Sequence, residues 1–182
     1  MKYFVVLIHN WILATIHKLK FSKKPCQFHV VLVEPQIPGN TGSAGRLCVA
    51  TNTILHLVKP LGFQITDTHL RRAGLDYWKY IQLHVHENFE QCLFWFQQNE
   101  SNTKLYVIEN GTHVTQNFYN LNIPRQAGFI FGKESDGLRQ DLVKNLQKQA
   151  YSIPMFSKQV RSLNLASCAH ITIYEALRQN PQ

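Results

Sequence analysis

Phe28-His29-Val30-Val31-Leu32-Val33-Glu34-Pro35-Gln36-Ile37-Pro38-Gly39-Asn40-Thr41-Gly42 passes from an unbroken, Val-rich apolar run into prolines and then small polar residues. Phe28–Val33 lacks the polar alternation of a half-exposed strand and matches a strand covered on both faces. Pro35 and Pro38 hold Gln36–Gly39 extended or turned. Asn40 or Thr41 is placed to cap a helix through Gly42–Ala50, which Asn52 closes.

Outward from this unit the same alternation repeats. Further strands are expected at Ile54–Val58, Ile81–Val85, Lys104–Glu109, Ala127–Phe131 and Ala150–Ile153. Helices are expected at Phe89–Gln98 behind Asn88, at Leu138–Gln149 and at Leu163–Leu177. Strands alternating with helices indicate an α/β fold, a parallel sheet with helices on both faces, whose ligand site lies at the carboxyl ends of the strands. The small and polar residues gather at those ends, in Gly39–Gly45, Asn110-Gly111, Gly132 and Ser162–Ser167. The first loop carries neither GxGxxG nor a GKS/GKT ending, which argues against dinucleotide and nucleoside-triphosphate binding.

Composition narrows the class. The 182 residues are 45% hydrophobic and 16% charged, too apolar for disorder, and contain no uninterrupted apolar run long enough for a membrane span. Cys26, Cys48, Cys92 and Cys168 lie 22, 44 and 76 residues apart, far from CxxC spacing, and read as buried thiols of a reducing compartment. The net charge of +8 is uneven: Lys2, Lys18, Lys20, Lys23 and Lys24 precede the first acid. From Phe28 onward, fourteen basic residues face eleven acidic ones, a balance that permits a nucleic-acid partner without requiring one. Residues 1–27 form a basic-hydrophobic extension and residues 28–182 the domain. The extension is an amphipathic helix, a segment packed on the domain, or upstream sequence; its order of charge and apolar run is not that of a signal peptide.

Several residues bear chemistry. Arg46, early in the first helix, suits a phosphate or hydroxyl contact or is a plain surface residue. Glu134 follows a strand end and Gly132, and is either functional or a helix-dipole partner. Arg71 and Arg72 beside Tyr77 and Trp78 combine charge with stacking surface, as RNA contacts do, or form an ordinary solvated loop. His84 and His86 share one strand face, but no HxxxH or neighbouring Cys/His pair accompanies them, so no metal is expected.

Three segments together carry a sharper signal. Val33–Gly42 followed by Arg46-Leu47-Cys48, Phe131–Leu138, and Ile153-Pro154-Met155 through Arg161–Ser167 resemble, in order, the three motifs of the SPOUT class of RNA methyltransferases. Pro60–Phe63 and Leu70–Tyr77 resemble the small branch that methylates the tRNA wobble nucleotide. The likeness runs from Phe28 to the end of the chain. It implies a C-terminal trefoil knot, an exception to the rule against knots, and S-adenosyl-L-methionine as cofactor. It also implies methyl transfer to the ribose 2′-hydroxyl of cytidine or carboxymethylaminomethyluridine 34, in the cytoplasm. Another RNA target, such as rRNA, and a catalytically silent RNA-binding module stand as alternatives.

The resemblance further assigns roles. Ile108, Gly132, Ile153, Met155 and Ser162 would contact the cofactor. Arg46, Asn40, Glu134, Ser162 and Asn164 would make the catalytic set, with Glu134 anchoring the knot and pairing with Arg46. Arg71, Arg72, Tyr77 and Arg161 would meet the tRNA anticodon stem-loop. A homodimer is expected, with neither a membrane partner nor a metal. The chain departs from the pattern at Glu109-Asn110-Gly111, where a Thr-rich turn is common, at Asp136, where a base is common, and in residues 1–27.

Overall fold

β1 (Gln27–Val33) is the strand around which the sheet is laid down. Its side chains alternate between two cores, with Phe28, Val30 and Leu32 in one and Val31 and Val33 in the other. Burial on both faces removes any need for polar alternation along the run. The strand opens one residue earlier than expected, because Gln27 registers with Gln126 and its Nε2 donates to Glu100 Oε1 at 2.7 Å. The structure, a computed structural model, describes residues 26–65, 77–111, 114–139, 141 and 146–181.

The other strands are β2 (Ile54–Val58), β3 (Leu83–His86), β4 (Lys104–Ile108), β5 (Gln116–Asn117), β6 (Gln126–Phe131) and β7 (Ala150–Ser152). They form one sheet in the order β3-β2-β1-β6-β4-β7-β5, every neighbouring pair parallel. The chain runs outward from β1 to β3, crosses to β4 and the edge strand β5, then returns to insert β6 between β1 and β4. Later it inserts β7 between β4 and β5. These two insertions set the C-terminal third among strands made much earlier.

The sheet is covered on both sides, as expected. α1 (Pro38–Thr51) and α3 (Leu165–Gln179) pack together on one face through Ala44, Leu47, Ala169 and Ile173. α2 (Phe89–Asn99) covers the other with Phe89, Cys92 and Phe96. Asn88 caps α2 as expected, its side chain accepting from the Gln91 N–H at 2.8 Å.

α1 corrects one expectation. It starts at Pro38, so Asn40 and Thr41 lie inside its first turn rather than capping it. Proline is favoured at the first helical position, where its missing N–H costs nothing. Asn52 closes α1 in the left-handed region, with φ 52°, as expected. Of the helix expected over Leu138–Gln149, residues 140 and 142–145 lie outside the described residues. Its end, Gln147–Gln149, is a 3-10 turn. Residues 1–25 and most of the basic-aromatic stretch, including Arg71 and Arg72, also lie outside the described residues. Among the described residues no helix is long and apolar enough to cross a membrane.

Candidate active site

The three motif segments meet at the carboxyl ends of β1, β4, β6 and β7. Glu134, just past β6, turns its carboxylate toward the loop after β1. Its Oε2 accepts from the Gln36 N–H at 2.8 Å, and its Oε1 accepts from the Ile37 N–H at 3.2 Å and from Asn40 Nδ2 at 2.9 Å. Ile37 and Asn40 sit at the amino end of α1, so a carboxylate there answers both unpaired N–H groups and the helix dipole. Asn40 Oδ1 in turn accepts from Asn164 Nδ2 at 2.9 Å. Asn164 caps α3 with its own Oδ1, which accepts from the N–H groups of Ala166 and Ser167. One continuous polar chain therefore runs from the second motif through the first to the third.

Beside this chain lies a cleft of about 490 Å³, within the usual range for small-molecule sites. Ile108, Gly132, Ile153, Met155 and Ser162 all line it, together with Asn40, Glu134, Asn164 and Arg161. Its apolar floor comes from Ile108, Phe131, Ile153 and Leu165. Arg161 is exposed at the rim, and its Nη2 donates to the Ser135 carbonyl at 2.7 Å.

The backbone of the second motif is held by a tight turn. Lys133 and Gly137 form a bridge across it, and Gly137 has φ +71°, a conformation that favours glycine. A Cβ on Gly132 would run into the backbone of Gly137 and Leu138. Glu109, at one of the departures from the family pattern, also lines the cleft. Its Oε2 accepts from the Leu138 N–H at 3.0 Å, so it fastens β4 to the turn. The nearby Cys168 thiol is pushed up to about 11, by burial first and then by the negative charge of Glu109. Asp136 is held below the usual carboxylate range by hydrogen bonds from Ser135 and then Lys133. Lys133 stands between Glu34 and Asp136, at 3.8 Å and 3.4 Å. Asn110 closes the far wall, with Nδ2 donating to the Arg161 carbonyl and Oδ1 accepting from Ser152 Oγ.

Arg46 is not part of the cleft lining. It is exposed on α1, with its guanidinium carbon 4.6 Å from the centre of the Tyr77 ring. Tyr77 is buried, and its hydroxyl donates to the Gly42 carbonyl at 2.6 Å. The expected Glu134–Arg46 pair is absent, because the acid is engaged by three donors of the first motif and the base lies over an aromatic ring.

The profile of the SpoU rRNA Methylase family matches residues 27–174. The chain belongs to this family. An Acidovorax sp. (strain JS42) relative named tRNA (cytidine(34)-2′-O)-methyltransferase is 42% identical over 154 residues, 84% of this chain and 92% of its own. A solved structure described as giving insight into 2-OH methylation of C/U34 on tRNA is 34% identical. It superposes with a TM-score of 0.76 over 85% of this chain and 97% of its own. The SpoU methyltransferase AviRb from Streptomyces viridochromogenes, solved with AdoMet, shares the fold at 21% identity, with a TM-score of 0.74 over 86% of this chain and 58% of its own. The fold is thus the α/β knot of SpoU-family methylases, as the motifs implied.

One expectation about this SpoU-family chain is overturned. His56, His86 and Cys92 are all buried, and one ligand atom from each lies within 4.8 Å of the others, a donor set suited to a metal. The expectation of no metal rested on spacing along the sequence. Parallel pairing of β2 with β3, and the packing of α2 over both, bring together residues that no short motif connects.

Proposed function

We propose that the protein transfers a methyl group from S-adenosyl-L-methionine to the ribose 2′-hydroxyl of the wobble nucleotide, cytidine or carboxymethylaminomethyluridine 34, of tRNA. The observation that carries this reading is the Glu134–Asn40–Asn164 chain, which gathers the three motif segments around one cleft. The name of the Acidovorax relative supports the substrate.

The cleft residues fit the cofactor. Ile108, Ile153 and Leu165 offer the apolar surface that an adenine ring needs, with the backbone of the Gly132 turn beside them. Glu109, Glu134 and Asp136 supply negative charge near a cationic ligand. Bound there, the cofactor supplies an electrophilic methyl group. The chain's own residues must then orient a ribose hydroxyl, a weak nucleophile that gains most from being held in line. Arg46 does this by clasping the hydroxyl and an adjacent phosphate in its planar fork. A guanidinium keeps its proton, so it positions the hydroxyl, and the proton leaves late to solvent.

Arg46 lies outside its own chain's cleft, which suits service to the cleft of a second copy. Ile171 and Tyr174, exposed on one face of α3, support such a homodimer. Arg161 at the rim, with Arg71 and Arg72, is assigned to the tRNA anticodon stem-loop, whereas Tyr77, expected there from the sequence, is buried beneath Arg46 with its hydroxyl on the Gly42 carbonyl. Residues 1–25 add non-specific affinity for tRNA, and the compartment is the cytoplasm.

The test is incubation with methyl-labelled S-adenosylmethionine and total tRNA, followed by mapping of the modified nucleotide. Label on the 2′-oxygen of nucleotide 34 is expected. Label in ribosomal RNA alone would move the substrate, and failure to bind the cofactor by calorimetry would leave an RNA-binding module.

A further inference from the structure

The edge of the sheet away from the cleft carries a group of side chains that methyl transfer does not use. His29, His56 and His86 come from three adjacent strands and lie in a row, all buried. His29 Nδ1 is 3.0 Å from His56 Nε2, and His56 Nδ1 is 3.0 Å from His86 Nε2. Cys92, in the second turn of α2, completes a cluster with His56 and His86 whose ligand atoms lie within 4.8 Å of one another. Trp95 lies over the group, its ring 4.8 Å from that of His56 and 4.5 Å from that of His84. None of these residues lines the methylation cleft.

Hydrogen bonding alone is a costly reason to bury this row. Apolar side chains fill a sheet–helix interface without the desolvation that imidazoles incur. Here His29 Nε2 is buried with no partner among the described residues. A tetrahedral ion with nitrogen ligands at about 2.0–2.1 Å holds them roughly 3.3 Å apart. The His56–His86 separation of 3.0 Å needs only a few tenths of an ångström to reach that value. His29 is placed as metal-ligating imidazoles require of a neighbour: its Nδ1 faces His56 Nε2 at 3.0 Å, and in the tautomer where it accepts from His56 Nε2–H, His56 Nδ1 is free as the ligand. His84, half-buried beside the cluster, stacks on the His56 ring with centroids 5.0 Å apart.

We propose that His56, His86 and Cys92 form a structural site for a divalent ion of the zinc class, with His29 as its positioning residue. Two imidazoles and a thiolate exclude the hard ions magnesium and calcium and suit zinc or cobalt. On binding, the S–H bond of Cys92 breaks, the sulfur electron pair goes to the metal, and one proton leaves to solvent. Each histidine remains neutral: His56 keeps its proton on Nε2 and His86 on Nδ1. A solvent molecule takes the fourth position. The ion then ties β2, the edge strand β3 and α2 to one another, independently of cofactor or tRNA.

The experiment uses the full chain, stripped with a chelator and titrated with cobalt chloride. One equivalent should bind, with tetrahedral d–d absorption and a thiolate-to-cobalt band, and zinc should displace it. Cys92→Ser should abolish the thiolate band and His86→Gln should weaken binding, whereas Cys48→Ser should change neither. His29→Ala should weaken cobalt binding by about tenfold or more. In the unmodified protein, zinc at a hundred times its Kd should raise the folded-to-unfolded ratio about a hundredfold, read as a higher Tm. Absence of the thiolate band when the stripped, folded protein is titrated with cobalt, its persistence in a folded Cys92→Ser variant, or a Tm that zinc leaves unchanged would each overturn the site.

Discussion

Asn164 Nδ2 donates to Asn40 Oδ1 across 2.9 Å, although 124 residues separate the two in sequence. The same Asn164 side chain caps α3 and the same Asn40 side chain donates to Glu134, so each amide serves two masters at once. Their donor and acceptor ends are not interchangeable, which makes the pair easy to dissect.

Asn164→Asp keeps an equally good cap, and its charge favours the helix amino end. It loses the donor to Asn40. Global stability should stay within about 0.5 kcal/mol of the original, while S-adenosylmethionine affinity falls. Asn164→Ala loses the cap as well and should cost about 1 kcal/mol in urea denaturation. Full cofactor affinity in Asn164→Asp would show that the link to Asn40 is dispensable.

Gly132 leaves no room for a side chain, since an added Cβ meets the Gly137–Leu138 backbone. Gly132→Val must therefore displace the turn that walls the cleft. S-adenosylmethionine affinity should drop about tenfold or more, roughly 1.4 kcal/mol, by calorimetry. Undiminished binding in a folded variant would remove this turn from the cofactor site.

Arg46→Ala should lower single-turnover methylation of tRNA about a hundredfold or more at saturating cofactor, with dimerisation and cofactor binding preserved. Arg46→Lys should restore only part of the rate, because a point charge does not reproduce a bidentate fork. Tyr77→Leu, which removes the ring under the guanidinium, should give a smaller loss in the same direction. Near-normal rates in Arg46→Ala would shift attention to Ser162, which lines the cleft.

Deleting residues 1–25 should leave a folded, active domain. Cys26 is the first described residue to pack on the core, and β1 begins immediately after it. The deletion removes five of the lysines, so binding to tRNA should weaken most at low salt. Loss of turnover or of dimerisation on truncation would make the segment part of the working domain.

Much of this arrangement was written locally in the chain. The run after Phe28 was recognisable as a two-faced strand because its residues alternate between two apolar cores. Asn88, Asn52 and the turn around Gly132 act within a few residues of themselves, and their signals survived. β5 leaves no signal in the sequence, because two residues cannot show a period. Asn40 looks like the cap of α1 in sequence, whereas the helix starts at Pro38 and the Asn40 amide is spent on Glu134 and Asn164. The fastening role of Glu109 has no local signal, since the N–H it satisfies belongs to Leu138, 29 residues on. The His56–His86–Cys92 group was hidden for the same reason: strand register, not spacing, assembles it.

The insertion of β7 between β4 and β5 carries one further consequence. A molecule interrupted before residue 150 has the strands to pair β1, β2, β3, β4 and β6, yet it lacks Ile153, Met155, Ser162, Asn164 and Leu165 from the cleft. With the cofactor in this cleft as proposed, its occupancy requires a chain made at least as far as Leu165. By mass action it lengthens the life of complete copies alone, and leaves prematurely released fragments to the proteases.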